Sequence, residues 1–296
     1  MRVTNKLITD AVTNNLFKNT ERLLELENMI SSGKRVNKPS DDPIGMAKIL
    51  DYRKTLASID QYSKNIAHGQ SWLGLTDTTL DSINTLLIQA KEVAESQATE
   101  TATEETRQIA AGEIENIYEQ IVQLANTKLG NSYIFAGHKT GTSPFYEDTE
   151  AYATYHGDDG EIRIITGEGV DMQINIPGDE VFQNSDVDIF EMLNQLKTAL
   201  ENNNTEGISD QIEPLDDALD QILNARGKVG ARLNRLETTE KYWSDFSLRI
   251  TEMLSDMEDI DLAQAMTQLV SQQTAYQASL ETTSMIIQPS LINFLR

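Results

Sequence analysis

The chain has 296 residues, with 47 acidic and 24 basic side chains, a formal charge of −23 and no cysteine. This balance excludes a protein that binds nucleic acid by neutralising phosphates, and the missing thiols exclude disulfide scaffolds and thiolate metal sites. No run approaches the ~20 apolar residues of a membrane-spanning helix, and the first ten residues lack the apolar core of a cleavable secretory signal.

In the first segment Val12, Leu16, Asn19, Leu23, Leu26 and Ile30 are spaced alternately four and three residues apart. This is a heptad seam with one polar member, and Gly33 is placed to end the helix in the left-handed conformation. A basic turn follows (Lys34, Arg35, Lys38), best read as a loop that meets acidic neighbours. Asp41 is the expected N-cap of the next helix, with Asp42 and then Pro43 in the first turn. No proline occurs between Pro43 and Pro144. The pattern predicts a long helix from Ile44 to about Glu100, broken near His68-Gly69-Gln70 or Gly74. A second helix is expected from about Glu104 to Leu129, with Ile109, Ile114, Ile117, Ile121 and Leu124 on one face.

Residues 141–182 depart from this pattern. Gly and aromatic residues concentrate between positions 133 and 178, which reads as strands and turns. Tyr152–His156 and Glu161–Thr166, separated by Gly157-Asp-Asp-Gly160, predict a hairpin. Val170, Met172, Ile174 and Ile176 alternate with polar residues as a half-exposed strand. Helices return over Asp186–Asn202 and Ile208–Met257. The last segment repeats the heptad: Leu262, Met266, Leu269, Gln273, Tyr276, Leu280, Thr283 and Ile287, with Leu291, Phe294 and Leu295 continuing the apolar face beyond Pro289.

Each terminal helix carries one narrow apolar stripe, so each needs a partner, and the economical partner is the other end of the chain. The expected fold is mainly α: an elongated antiparallel helical bundle or coiled coil formed by both chain ends, with a small β-rich inserted domain. The expected boundaries are a terminal coiled-coil domain of residues 1–33 with 262–296, a helical core of 34–140 with 185–261, and an insertion of 141–184. Charge follows the same division. Residues 1–54 carry net +3 and residues 223–296 net −2, whereas residues 141–222 carry −18. Near-neutral ends can pack against copies of themselves, and an acidic middle stays solvated.

No catalytic constellation appears. His68, His138 and His156 lack the spacing of a metal-binding pair, and no nucleophile elbow or phosphate-binding glycine loop is present. Asp256-Met-Glu-Asp-Ile-Asp261 lacks the glycine and terminal glutamate of a calcium loop and reads as a solvated face or helix start. Asp158-Asp159 is explained by turn preference. No cofactor or metal is expected.

Four stretches resemble the bacterial flagellin family. Ile30-Ser-Ser-Gly-Lys-Arg-Val-Asn-Lys-Pro-Ser-Asp-Asp-Pro43 is similar to the turn after that family's first helix; its marks are Gly33, Asn37, Pro39, Asp41, Asp42 and Pro43. Gln272–Leu280 and Ser290–Arg296 resemble the family's last helix, and Gly230–Leu236 its penultimate one. Two further details, Lys38-Pro-Ser-Asp-Asp-Pro43 and Gly130-Asn-Ser-Tyr-Ile-Phe-Ala-Gly137 with Thr140 and Thr142-Ser-Pro-Phe145, resemble the family's hook–filament junction branch rather than filament flagellins.

The resemblance implies a non-enzymatic subunit of the bacterial flagellum, exported unfolded without a cleaved signal and assembled outside the cell. Its implied partners are neighbouring copies in a ring, the other hook–filament junction protein, flagellin, and an export chaperone on the C-terminal helix. No nucleic-acid partner and no membrane span are implied. Two other readings are a short flagellin that forms the filament itself and a cytoplasmic helical enzyme.

Overall fold

A computed structural model describes residues 2–147, 152–184 and 187–292, with side chains described over 6–285 of those. The chain divides into two compact units, residues 59–244 and residues 1–58 with 245–296. Helices α2 (Pro43–Gln97) and α7 (Ile212–Glu258) contribute to both.

In the unit of residues 59–244, α2 runs without a break through Gly69 and Gly74, contrary to the expected interruption. Gly69 is there for packing rather than bending. A Cβ at this position would stand 2.7 Å from Ile164 Cδ1 and 3.1 Å from both Ile174 and Leu236. Helix α3 (Glu104–Ala125) starts at a reciprocal cap, in which the Thr103 and Thr106 hydroxyls each accept the other's backbone N–H; two glutamates in its first turn favour the positive end of the helix dipole. Its buried face holds Ala110, Ile114, Ile117 and Ile121, while Ile109, expected on that face, is 70% exposed. Helix α3 packs on α5 (Ile189–Glu201), whose N-cap Asp188 accepts from the Phe190 and Glu191 amides at 2.9 and 3.1 Å. Burial holds the Asp188 carboxyl above the ordinary range. The short helix α6 (Thr205–Asp210) separates α5 from α7.

Among the described residues, the β region has three two-stranded antiparallel pairs: β1 (Lys128–Leu129) with β2 (Ser132–Tyr133), β3 (Phe145–Glu147) with β4 (Ala153–Tyr155), and β5 (Arg163–Gly167) with β6 (Val170–Gln173). The expected hairpin across Gly157–Gly160 does not form. Strand β4 pairs backwards with β3 (Phe145 opposite Tyr155), and β5 pairs forwards with β6 (Arg163 opposite Gln173). The short helix α4 (Gly178–Phe182) follows, and its Phe182 joins Phe135, Phe145 and Phe190 in one buried cluster, with ring centroids 5.0–5.6 Å apart. Tyr118 and Tyr155 pack on its edge, and burial pushes both phenols up to about 12. At ~25 cal/mol per Å² of buried apolar surface, a cluster of this kind dominates local stability.

The other unit contains α1 (Arg2–Ser32) packed along α8 (Leu262–Ile292), with the adjoining ends of α2 and α7. Among the described residues, its buried apolar side chains are Val36, Ile49, Ile250 and Ala265. Among the described residues no helix is long and apolar enough to cross a membrane.

Candidate assembly surfaces

The seam predicted on α1 lies on one side of that helix: Val12, Leu16, Asn19, Leu23, Leu26 and Ile30 are all half-buried. Asn19, the polar member, fixes the alignment of α1 on α8. Its amide donates to Ser279 Oγ at 2.8 Å, and Gln272 Nε2 donates back to the Asn19 carbonyl at 3.3 Å. A polar pair inside an apolar seam sets register at some cost in stability.

Helix α8 has two faces. Ala265 is buried, and Leu269, Gln272, Tyr276, Ser279 and Thr283 are half-buried. These residues recur at steps of four and three and include small and polar side chains. Of the predicted seam, Leu269, Tyr276 and Thr283 belong to this face, whereas Gln273 is exposed and Leu262, Met266 and Leu280 are 53%, 49% and 42% exposed. Val270 and Met285 are exposed as well. Ile287 and Leu291 lie in α8 beyond the described side chains, and Phe294 lies outside the described residues. The exposed apolar stripe begins three residues before Ala265, a single helical turn, so the heptad pattern alone did not separate the two faces.

In the turn after α1, Gly33, Asn37, Asp41 and Asp42 of its motif each have a defined place. Gly33 adopts φ +71°, a conformation that side chains with a Cβ disfavour. The Asn37 side chain donates to the Lys34 carbonyl at 3.1 Å. Asp41 Oδ2 accepts from the Asn37 and Lys38 amides at 3.1 and 2.8 Å, and those backbone bonds, against slight burial, hold its carboxyl below the ordinary range. The N-cap of α2 is therefore Asp42, not Asp41: Asp42 Oδ1 accepts from Gly45 N at 2.8 Å, ahead of Pro43 in the first turn. A Cβ on Gly45 would stand 2.3 Å from Asp42 Oδ2.

This turn is tied to the one between α7 and α8. Arg35 N donates to the Glu258 carbonyl (2.6 Å) and Ile260 N donates to the Gly33 carbonyl (3.0 Å). The Arg35 guanidinium reaches the Met257 carbonyl at 2.7 Å. The Glu258 carboxylate, only 3% exposed, forms ion pairs with both Lys34 and Arg53. Burial alone would raise its pKa, but the hydrogen bonds from the two cations outweigh burial and hold it below the usual glutamate value. Asp261 caps α8 by accepting from the Ala263 and Gln264 amides at 2.9 and 3.1 Å. The acidic run 256–261 thus includes the expected helix start, but Glu258 is not on a solvated face. The basic turn does meet an acidic neighbour, as its composition suggested.

The glycine motif before the insertion is also accounted for. Gly137 has φ +64°, and a Cβ there would lie 2.0 Å from the Asp158 carbonyl oxygen. Asp158 Oδ1 accepts from His138 N at 2.6 Å and Gly160 N at 3.1 Å; the His138 backbone bond is the largest of the influences that lower its pKa. The Tyr155 hydroxyl reaches the Phe135 and Asp158 carbonyls at 3.0 and 2.7 Å. Asp158 is thus a structural fastener as well as a turn former. His156 stacks on Tyr146 with centroids 3.8 Å apart, and His68 and His138 are exposed. Among the described residues no group of three or more His, Asp or Glu is placed to hold a metal.

Sequence reasoning missed Arg107. It is 5% exposed, and its guanidinium binds the Gln97 and Thr99 carbonyls (3.1 and 3.0 Å) and Asn203 Oδ1. It ties the end of α2 to the turn after α5, where Asn203 adopts φ +53°. The neutral partners left no charge pattern by which to find it.

The chain pairs a helix from each of its ends, α1 and α8, and carries its β region between α3 and α4. The chain belongs to the bacterial flagellin family: the profile of the bacterial flagellin N-terminal helical region matches residues 3–140, and that of the C-terminal helical region matches residues 212–295. It is 29% identical to flagellar hook-associated protein 3 of Escherichia coli strain K12, over 84% of this chain and 86% of that one. It is 27% identical to the protein of the same name from Salmonella typhimurium, over 95% and 96%. A solved structure, FlgL of Bacillus cereus, superposes with a TM-score of 0.61 at 26% identity, covering 69% of this chain and 99% of that one.

Proposed function

We infer that this chain is a structural subunit of the bacterial flagellum that joins the hook to the filament. The observation that carries this is its near full-length similarity to proteins named flagellar hook-associated protein 3, with flagellin profiles at both ends. Its work is packing, and it has no substrate and no enzymatic step. The α1–α8 pair of residues 1–33 and 262–296 is the part that packs against other subunits.

The exposed apolar stripe supports this reading. Leu262, Met266 and Leu280 are about half exposed on α8, and apolar side chains gathered on an exposed face mark an interaction site. In the assembled junction that stripe packs against neighbouring copies in a ring, the other junction protein below and flagellin above. Before export the same stripe is covered by a chaperone on α8, and the subunit leaves the cell through the flagellar export apparatus without a cleaved signal.

Deleting the gene tests the reading. Intact hooks with flagellin shed into the medium are the expected result, reversed by the full chain. Hooks that lack filaments with no flagellin in the medium would instead mean that the chain is the filament subunit.

A further inference from the structure

Glu258 is a buried acid between two turns, each of which connects a terminal helix to a longer helix. Around it, Lys34 comes from the turn after α1, Arg53 from α2 and Arg35 from the same turn as Lys34. The nearby acids are placed elsewhere: Asp259 Oδ2 accepts from Ser255 Oγ at 2.5 Å, and Asp261 caps α8. Two backbone hydrogen bonds cross the same place, Arg35 N to Glu258 O and Ile260 N to Gly33 O, and Lys34 and Asp259 form an isolated antiparallel bridge. Each chain reversal is therefore held by the other. Arg53 and Lys34 are 45% and 40% exposed while Glu258 is 3% exposed, so the carboxylate is the enclosed member of the trio.

We propose that Glu258 is a positioning residue for assembly: by drawing Lys34 and Arg53 onto one carboxylate it locks the two turns together and so sets how the α1–α8 pair is presented to neighbouring subunits. This rests on the subunit reading above. The unit has few buried apolar residues, so packing alone fixes its turns weakly. A charge enclosed against two cations from different elements is costly to satisfy in any other arrangement, which gives the joint one preferred geometry. Removing the charge while keeping the shape should loosen the joint without unfolding the unit of residues 59–244.

The test uses the full-length chain in a gene-deleted strain, with purified protein in parallel. Glu258→Gln is expected to raise hydrogen exchange at the Arg35 and Ile260 amides roughly tenfold, with export unchanged and hooks bearing filaments reduced about as much. The triple variant Lys34→Met, Arg53→Met, Glu258→Met replaces the trio by apolar side chains of similar length. It is expected to return both readouts to within about twofold of the wild type, as apolar replacement of an ion-pair group can. Three results would each overturn the proposal: unchanged exchange in Glu258→Gln; faster exchange with normal joining; or no recovery in the triple variant, which would mean that the carboxylate serves something other than Lys34 and Arg53. Failure of the wild-type chain to restore filaments would count against the subunit reading alone, because the exchange measurement does not depend on it.

Discussion

The two units use apolar residues in opposite ways. Residues 59–244 enclose theirs: Phe135, Phe145, Phe182 and Phe190 are 0–1% exposed, and Ile66, Leu73, Leu80, Ile114 and Leu236 are fully buried. Residues 1–58 with 245–296 bury little beyond Val36, Ile49, Ile250 and Ala265. They leave Phe17, Ile44, Leu248, Met253, Leu262, Met266, Val270 and Met285 about half or more exposed. Scattered exposed apolar residues are ordinary, but here they gather in the unit with the smaller core. One unit encloses its apolar side chains, and the other leaves many of them on its surface.

The largest expected break in this contrast is removal of residues 262–296. Joining of hook to filament should be abolished, while far-UV and near-UV circular dichroism show residues 59–244 still folded. Phe145→Ala should act on the opposite unit. Emptying the centre of the aromatic cluster costs about 3–5 kcal/mol, visible as a lower thermal midpoint, with joining reduced only in proportion to the folded protein remaining.

Glu258 gives the contrast a pH signature. Its folded pKa is below the ordinary value of 4.5, so the stability it contributes is complete above that value and is lost as pH falls through the folded one. Acid titration of hydrogen exchange in the terminal unit should show this loss, and Glu258→Gln should remove that component. Replacing both Leu262 and Met266 by Ser should change stability by no more than ~0.5 kcal/mol each, yet lower joining sharply; the pairing of the two effects is the point to measure. The smallest effects belong to the insertion. Asp158→Asn should loosen the Gly137 turn, detected by amide exchange at His138 and Gly160, whereas the same change at exposed Asp159 should leave exchange unaltered.

Much of the helical architecture was legible in the sequence. The period of the seam located α1 and α8, and Gly33 marked the end of α1 because only a left-handed residue fits there. The insertion was legible as β-rich but not in its pairing. The Gly157–Gly160 segment has the composition of a hairpin turn, yet Asp158 is engaged by His138, a residue outside that hairpin, as well as by Tyr155 of its first strand, and β4 turns to β3 instead. The unbroken course of α2 was hidden because glycine in a helix reads as a weak point, whereas Gly69 makes room for Ile164, Ile174 and Leu236. The two faces of α8 were hidden because heptad spacing fits both Leu262-Met266 and Ala265-Leu269. Glu258 and Arg107 were hidden because burial of a charge depends on partners far away in sequence.

The most direct test uses the absence of cysteine from the natural chain. Single variants Met266→Cys and Glu168→Cys place one thiol on the uncovered stripe of α8 and one on the exposed turn between β5 and β6. Thiol-reagent labelling is measured on the free chain and on isolated hook–filament assemblies. The expected result is that both label readily when free, and that on assembly Cys at 266 slows at least about tenfold, as for a site closed off from solvent, while the thiol at 168 is unchanged. Equal labelling at 266 in the free and assembled states would contradict the claim that the terminal unit keeps its apolar surface for other chains.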